Sequence, residues 1–401
     1  MTGTALSERL NHPVSTAELH RRWRAIREGM ADRGIDVLVA QTNNDYVGGY
    51  VRYLTDIPAT NGYPVTVVFP REEPMTIIRH GARGEDLVVD PGGDPVLRGV
   101  GRALASPYMS SVSYTRYDGA ELALDALRAF ASGRIGWVGT GTIPMAFGEY
   151  LQRELHAATF TEAADVVDAV RALKSGEELE LVRATAKLQD AAIAAAFEAL
   201  RPGMRDSDVA AVAQHTAQSL GSEQGIYWCV STPLGEPGRI AHPHSQHRVI
   251  REGDAFHLMV EVNGPGGMYT EIGRSGVVGR VPDRIAEEYE FCLRAQRFCY
   301  GLLRPGAAPA DVWAEYNEFL RDNGRPEELR LHCHGQGTDL VERPLIRAEE
   351  PMVLAAGMNL ACHPRYVLDG FCHWVCDNVI IGDEGVEELH KFDKRLAELG
   401  R

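Results

Sequence analysis

Leu200-Arg201-Pro202-Gly203, followed by Asp208-Val209, returns 103 residues later as Leu303-Arg304-Pro305-Gly306, followed by Asp311-Val312. In both copies the tetrapeptide ends a long segment with apolar residues at helical spacing, 177–200 in the first and 283–303 in the second. A second helical segment follows, 206–220 in the first copy. Proline cannot continue a helix, and glycine readily takes the left-handed conformation that closes one. Two such joints at a fixed offset predict a duplicated helix-plus-strand unit related by a pseudo-two-fold axis. A duplication of this kind places a binding groove where strands of the two halves meet.

Working outward, residues 255–262, 269–278, 359–362 and 374–381 read as strands of the duplicated part. The N-terminal part follows a different rhythm. Residues 16–33 read as a helix ended by Gly34, residues 36–41, 63–70 and 74–78 as strands, 120–132 as a helix, 134–138 as a strand and 144–155 as a helix. Alternating strands and helices predict a smaller α/β domain with a mixed or parallel sheet. The expected division is 1–165 and 166–401.

The chain has 401 residues, 44% of them hydrophobic and 24% charged, which is the composition of a globular protein and excludes a disordered one. A net charge of −15 argues against nucleic acid and anionic membranes as partners. The sequence holds no run of 18 apolar residues, and residues 1–14 are polar without a signal-peptide core. We therefore expect a cytoplasmic protein. All seven cysteines lie beyond residue 228, irregularly spaced and odd in number, which is not a disulfide framework. No CxxC occurs, so a zinc knuckle is not expected.

Eight of the 14 histidines fall between His242 and His373. A loop histidine such as His242 suits proton transfer near neutral pH. Glu261 and Glu271 flank a Gly/Pro-rich hairpin, and its closure would set them opposite each other. Two carboxylates in one groove bind a cation or drive one pKa upward. His332, Cys333 and His334 precede a glycine-rich turn. His363, His373, Cys376 and Asp377 sit in apolar strand segments, where a polar side chain is costly unless satisfied, so they are candidate site walls.

With these residues in view, the chain resembles the creatinase/aminopeptidase P superfamily over nearly its whole length. Lys174-Ser175-Gly176-Glu177-Glu178 looks like the family's Lys-Ser-x-x-Glu entry into its catalytic domain, and Arg201-Pro202-Gly203-Met204 follows in order. The resemblance implies an α+β pita-bread catalytic domain after a smaller N-terminal α/β domain. His242, twelve positions before Asp254, falls at the family's proton-shuttling histidine. The family's peptidases hold two metal ions with two Asp, one His and two Glu. The first Asp position falls at Val260 or, with a one-residue shift, at Glu261, and the second falls at Glu271. His334 matches the ligand histidine, and Val341 replaces the histidine of His-Glu-x-Pro while Glu342 and Pro344 remain. His363 and Cys376 stand where the family has its two Glu, with Asp377 beside the latter.

The altered set implies a creatinase-like homodimeric hydrolase that cleaves a C–N bond of a small charged substrate, without a dinuclear metal site. No cofactor is favoured. A single divalent metal on Glu271, His334 and His363 is the alternative. His242 would shuttle the proton, while His334 and His363 polarise the scissile group or orient water. Glu261 and Glu271 would bind a cationic group, Arg274 or Arg365 would clamp a carboxylate, and Asp377 would fix a histidine tautomer. Arg52 and Tyr53 are expected to complete the partner's site. Other readings are a metal-dependent Xaa-Pro peptidase, a lyase of the dimethylsulfoniopropionate-cleaving type and a non-catalytic small-ligand binder.

Overall fold

The Pro-Gly repeat folds as two copies of one joint. Gly203, at φ +96°, donates its N–H to the Ile250 carbonyl (2.9 Å), and Ile250 donates back to Met204 (2.8 Å). Gly306, at φ +86°, donates to Leu354 (2.8 Å), and Leu354 donates back to Ala307 (2.9 Å). The correspondence continues downstream. Gly253 donates to Val278 (2.7 Å) and Gly357 to Ile381 (2.8 Å), each tying the start of one strand to the end of its antiparallel neighbour. The expected duplication is therefore present in backbone hydrogen bonds as well as in sequence.

The computed structural model describes residues 8–238 and 242–400. Residues 1–7 of the polar N-terminal segment, and 239–241 just before His242, lie outside them. Two compact units divide between Arg171 and Ala172, six residues beyond the expected boundary. The helix Ala164–Arg171 packs on the helix Thr16–Asp32 and the strand Arg134–Val138, which carries it into the first unit. That unit is built on a seven-stranded sheet of mixed direction. Among the described residues no helix is long and apolar enough to cross a membrane.

In the second unit, the helix Gly176–Ala199 begins with a reciprocal cap. Ser175 accepts from the Glu178 N–H (3.2 Å), and the Glu178 carboxylate accepts from the Ser175 N–H (2.8 Å). Lys174 makes a buried ion pair with Glu342 (3.1 Å). The Lys-Ser-x-x-Glu segment thus starts a helix and anchors it to a distant strand. That helix and Asp206–Ser219 cover a four-stranded sheet, antiparallel except for the edge strand Ala397–Leu399, in which Phe197 and Ala213 pack on Phe256, Leu258 and Val260. The helices Asp283–Leu302 and Pro309–Asp322 cover the second copy, a five-stranded sheet that includes Cys333–Gly335, Asn359–Cys362 and Asp377–Ile381.

The two sheets meet at Gly273 and Cys376, which exchange both backbone hydrogen bonds (3.0 and 3.1 Å). The expected strand over 374–381 is consequently two strands, Phe371–Trp374 and Asp377–Ile381, broken where Cys376 turns to pair with Gly273. Beside this seam Arg274 reaches from one sheet to Asp377 on the other (2.7 Å). Its remaining donors go to the carbonyls of Gly273, Cys376, Phe392 and Asp393. Asp377 also accepts from Gln296 (3.0 Å) and lies 3.3 Å from Lys394.

Two outcomes follow from this seam. A Cβ at Gly273 would stand 2.6 Å from the Trp374 ring and 2.9 Å from the Cys376 Cβ. Gly273→Ala should therefore lose ~1–3 kcal/mol in urea unfolding. An unchanged midpoint would show that the seam yields to an added methyl. Asp377→Asn strands the fully buried Arg274 charge and should cost ~3–5 kcal/mol. Burial raises the Asp377 pKa, but Arg274, Lys394 and His390 outweigh it and hold the carboxyl below its ordinary value. Its contribution is then full above about pH 4 and is lost as the pH falls below that. The gap between wild type and Asp377→Asn should accordingly narrow in acid.

Candidate active site

A cavity of about 400 Å³ opens in the second unit where the two sheets join, and Glu261, Glu271, His334 and His363 all line it. Strand register brings the acids together. Glu261 on Asp254–Asn263 is the direct antiparallel partner of Glu271 on Tyr269–Val278. Alternation along the first strand sends Val260 and Val262 into the core under the helices and sends Met259 and Glu261 into the cavity. Glu261, not Val260, therefore faces the groove. His334 and His363 come from the second sheet, with their rings 5.2 Å apart.

Glu271 is the centre of this group. Its carboxylate accepts from the Cys376 thiol (2.6 Å) and lies 4.0 Å from His334 Nε2 and 3.9 Å from His363 Nε2. Burial acts to raise its pKa, yet His363, His334, the Cys376 thiol and a hydrogen bond from Glu261 together hold it below the ordinary value. Glu261 moves the other way. Burial first, and then the neighbouring Glu271 carboxylate, push it well above the usual range. Of the two, Glu261 is the carboxyl that favours its proton and Glu271 the one that favours its charge. Burial also lowers His363 to about 4, so this ring is neutral at pH 7. His334 places Nδ1 2.9 Å from the Gly335 carbonyl. A carbonyl only accepts, so a neutral His334 carries its proton on Nδ1 and turns the Nε2 lone pair toward Glu271.

That arrangement bears on whether a metal fits. Glu271, His334 and His363 each offer one ligand atom, all within 4.8 Å of one another. A lone pair facing a carboxylate, with the other ring nitrogen fixed by a backbone carbonyl, is how metal-binding histidines are held. Two imidazoles and one carboxylate suit a single divalent cation. Two cations are another matter. The resemblance implied four carboxylates for them, whereas here there are two, with an imidazole and a thiol in the other places. The mutual repulsion of two divalent ions is then poorly offset.

Several expected roles change. Arg274 and Asp377 face away from the cavity and are spent on each other at the seam, so neither clamps a substrate carboxylate nor orients a histidine. The register slip left open between Cys376 and Asp377 resolves with Cys376 toward the groove. His373 is buried against Tyr366 and Phe371, outside the cavity lining, and its pKa falls to about 4 through burial. Arg52 and Tyr53 are buried in the interior of the first unit. Tyr53 lies under the Arg22 guanidinium and accepts from Arg21, so these residues are placed for packing and not for reaching a partner's site. Arg365 does line the cavity, with Arg330. His242 is exposed at the cavity's edge, its ring at right angles to Trp228, which is itself a lining residue, with centroids 6.1 Å apart.

Sequence reasoning missed the residues that hold Glu261. Gln336 donates to Glu261 (2.9 Å), Asn378 donates to Gln336 (2.9 Å) and to Asn359 (3.0 Å), and Asn359 donates to the Gln336 carbonyl (3.0 Å). Asn378 also accepts from the Glu271 N–H (2.7 Å). The available clue was an amide in each of two otherwise apolar strands. The aromatic walls Trp228 and Trp374 gave no clue at all, because aromatic residues in strands are usually core.

The chain is similar to several known proteins. The description "Metallopeptidase family M24" matches residues 180–386. The Xaa-Pro dipeptidase of Pyrococcus furiosus is 26% identical over 262 residues, covering 64% of this chain and 74% of that protein. Creatinase from a Bacillus species is 25% identical over 291 residues, 66% of this chain and 67% of its own. Among solved structures, dipeptidase PepE from Mycobacterium ulcerans has a TM-score of 0.75 at 21% identity, over 96% of this chain and 99% of that one. Zinc-substituted E. coli aminopeptidase P in complex with product has a TM-score of 0.72 at 17% identity, over 94% and 95%. The pita-bread fold that the resemblance implied is the fold these structures share. The chain belongs to metallopeptidase family M24, in the creatinase/aminopeptidase P superfamily, and is a hydrolase acting on carbon–nitrogen bonds.

Proposed function

We propose that the enzyme cleaves a C–N bond in a small charged molecule of the amidino, amide or amino-acid type, and that its groove takes one divalent cation and not two. The observation that carries this reading is the convergence of Glu271, His334 and His363 with a thiol and an imidazole in place of two carboxylates. Bound there, a cation would supply an activated water and polarise the scissile group.

The chain's own residues do the rest. Cys376 and the Asn378–Gln336 amides fix the two carboxyl groups. Glu261, retaining its proton, donates to Glu271 and is available to return that proton to the groove. Trp228 and Trp374 wall the cavity. Arg330 and Arg365 bind an anionic group of the substrate. His242, beside Trp228, would carry the proton to the leaving nitrogen.

Seven free, buried cysteines fit a reducing compartment, which supports the cytoplasm as the place of work. The homodimer stays part of this reading on the resemblance alone.

Metal analysis of equilibrated protein tests the reading. His363→Ala should bind one equivalent of divalent metal less than wild type, and its kcat should fall by at least about 100-fold. A loss of two equivalents would restore a dinuclear peptidase. Wild type should turn over amidino or amide substrates better than Xaa-Pro dipeptides, and the reverse ranking would move the assignment to a prolidase-type activity. His242→Ala should lower kcat with little change in KM. Full turnover in that variant would remove it from the mechanism.

A further inference from the structure

Cys299, Cys333 and Cys362 come from three elements: the helix Asp283–Leu302 and the strands Cys333–Gly335 and Asn359–Cys362. Their sulfur atoms lie within 4.8 Å of one another, and all three residues are fully buried. Cys333 and Cys362 are direct antiparallel partners. The neighbouring pair is hydrogen-bonded, His363 donating to the His332 carbonyl (2.8 Å), so the two cysteines occupy the closer, non-hydrogen-bonded position. Strand alternation turns these thiols away from the groove. Cys333 backs His334 and Cys362 backs His363, and the thiols pack in the core under the helices.

A fourth group stands beside them. His332 has no exposed surface, and neither of its ring nitrogens has a hydrogen-bond partner. Its ring stacks on Tyr316 with centroids 3.9 Å apart and planes 11° from parallel. His332 lies beside the Cys299 thiol. Buried thiols by themselves are ordinary apolar packing. A buried imidazole with both nitrogens unsatisfied is not, because nearly all such groups find a partner.

We propose that Cys299, Cys333 and Cys362 form a closed structural site for zinc behind the catalytic groove, with His332, which lies beside Cys299, turning from its stack on Tyr316 to become the fourth ligand. Three thiolates and one imidazole are a standard tetrahedral set for this ion. Zinc–sulfur bonds of about 2.3 Å put sulfurs about 3.8 Å apart, within roughly 1 Å of the present spacing. On binding, each thiol releases its proton to solvent and each sulfur bonds the metal, with no change of oxidation state. The site shares no ligand with the groove. It ties one helix to the strand that carries His334 and to the strand that ends just before His363, so its occupancy steadies these histidines from behind.

The test uses full-length protein, stripped by a chelator under reducing conditions and titrated with cobalt(II) in place of zinc. Wild type should show sulfur-to-cobalt charge transfer in the near ultraviolet and the intense visible bands of tetrahedral cobalt. Cys299→Ser and Cys362→Ser should abolish them. Cys376→Ser and His363→Ala, which alter the groove, should keep them. Zinc X-ray absorption of unsubstituted protein should show a sulfur-rich shell, a measurement independent of any variant's folding. Three results would overturn the site: no thiolate band in wild type, a band that survives Cys299→Ser, or a Cys333–Cys362 disulfide in unreduced native protein. The groove reading stands or falls separately, on the metal lost in His363→Ala.

Discussion

The Glu271 carboxylate is the constraint around which the catalytic unit is arranged. It is an anion removed from water, and such a group persists only where opposing charge or directed hydrogen bonds replace its hydration. Here the replacement comes from both halves of the duplication. Glu261 faces it along its own sheet, while from the other the Cys376 thiol donates to it and the rings of His334 and His363 approach to 4.0 and 3.9 Å. That approach depends on the Gly273–Cys376 seam, where the absence of a side chain lets two strands pass close enough to exchange backbone hydrogen bonds. The Arg274–Asp377 pair locks the opposite face of the same seam. The groove geometry is therefore a consequence of how two copies of one unit are joined.

Much of this was legible in the sequence because it was written in local terms. A Pro-Gly joint followed by Asp-Val has one structural meaning, and its recurrence announces a duplication. The residues of the cavity were legible for a related reason, since a histidine or a glutamate in an apolar strand needs a partner that the sequence does not supply nearby. What local terms leave out is direction. The strand period is two residues, so a slip of one exchanges Glu261 with Val260, or Cys376 with Asp377, without changing anything else in the pattern. Only the pairing register decides, and it decided for Glu261 and Cys376. Arg274 shows the same limit. Three residues beyond Glu271, it takes the opposite face by plain alternation, and only the bridge at Gly273 shows that this face meets Asp377.

Convergence over long separations was the other illegible part. The thiol cluster joins residues 299, 333 and 362, which no spacing rule groups together. The relay from Asn359 through Asn378 and Gln336 to Glu261 spans both sheets and uses neutral amides, which carry no charge pattern. Arg52 and Tyr53 failed in the opposite sense. They resemble a reaching pair in sequence, but a short helix, Gly49–Thr55, faces them inward, where Tyr53 serves as a platform for Arg22.

Replacing carboxylates by an imidazole and a thiol changes the charge of a groove whose walls are otherwise kept. Each exchange removes one negative charge from a confined, poorly solvated space, where a single charge dominates the local field. Of the two carboxyls left at the exchanged set, burial and its neighbour push Glu261 well above its ordinary pKa, while Glu271 is held below it. Arg330 and Arg365 stand at the wall of the cavity, with Glu327 and Glu328 also in its lining. Such a pocket admits a substrate bearing a carboxylate or similar anion more readily than the four-carboxylate set could. The same exchange that weakens the case for two metal ions therefore strengthens the case for a small anionic or zwitterionic substrate. Both proposals rest on the same exchange of groups around Glu271.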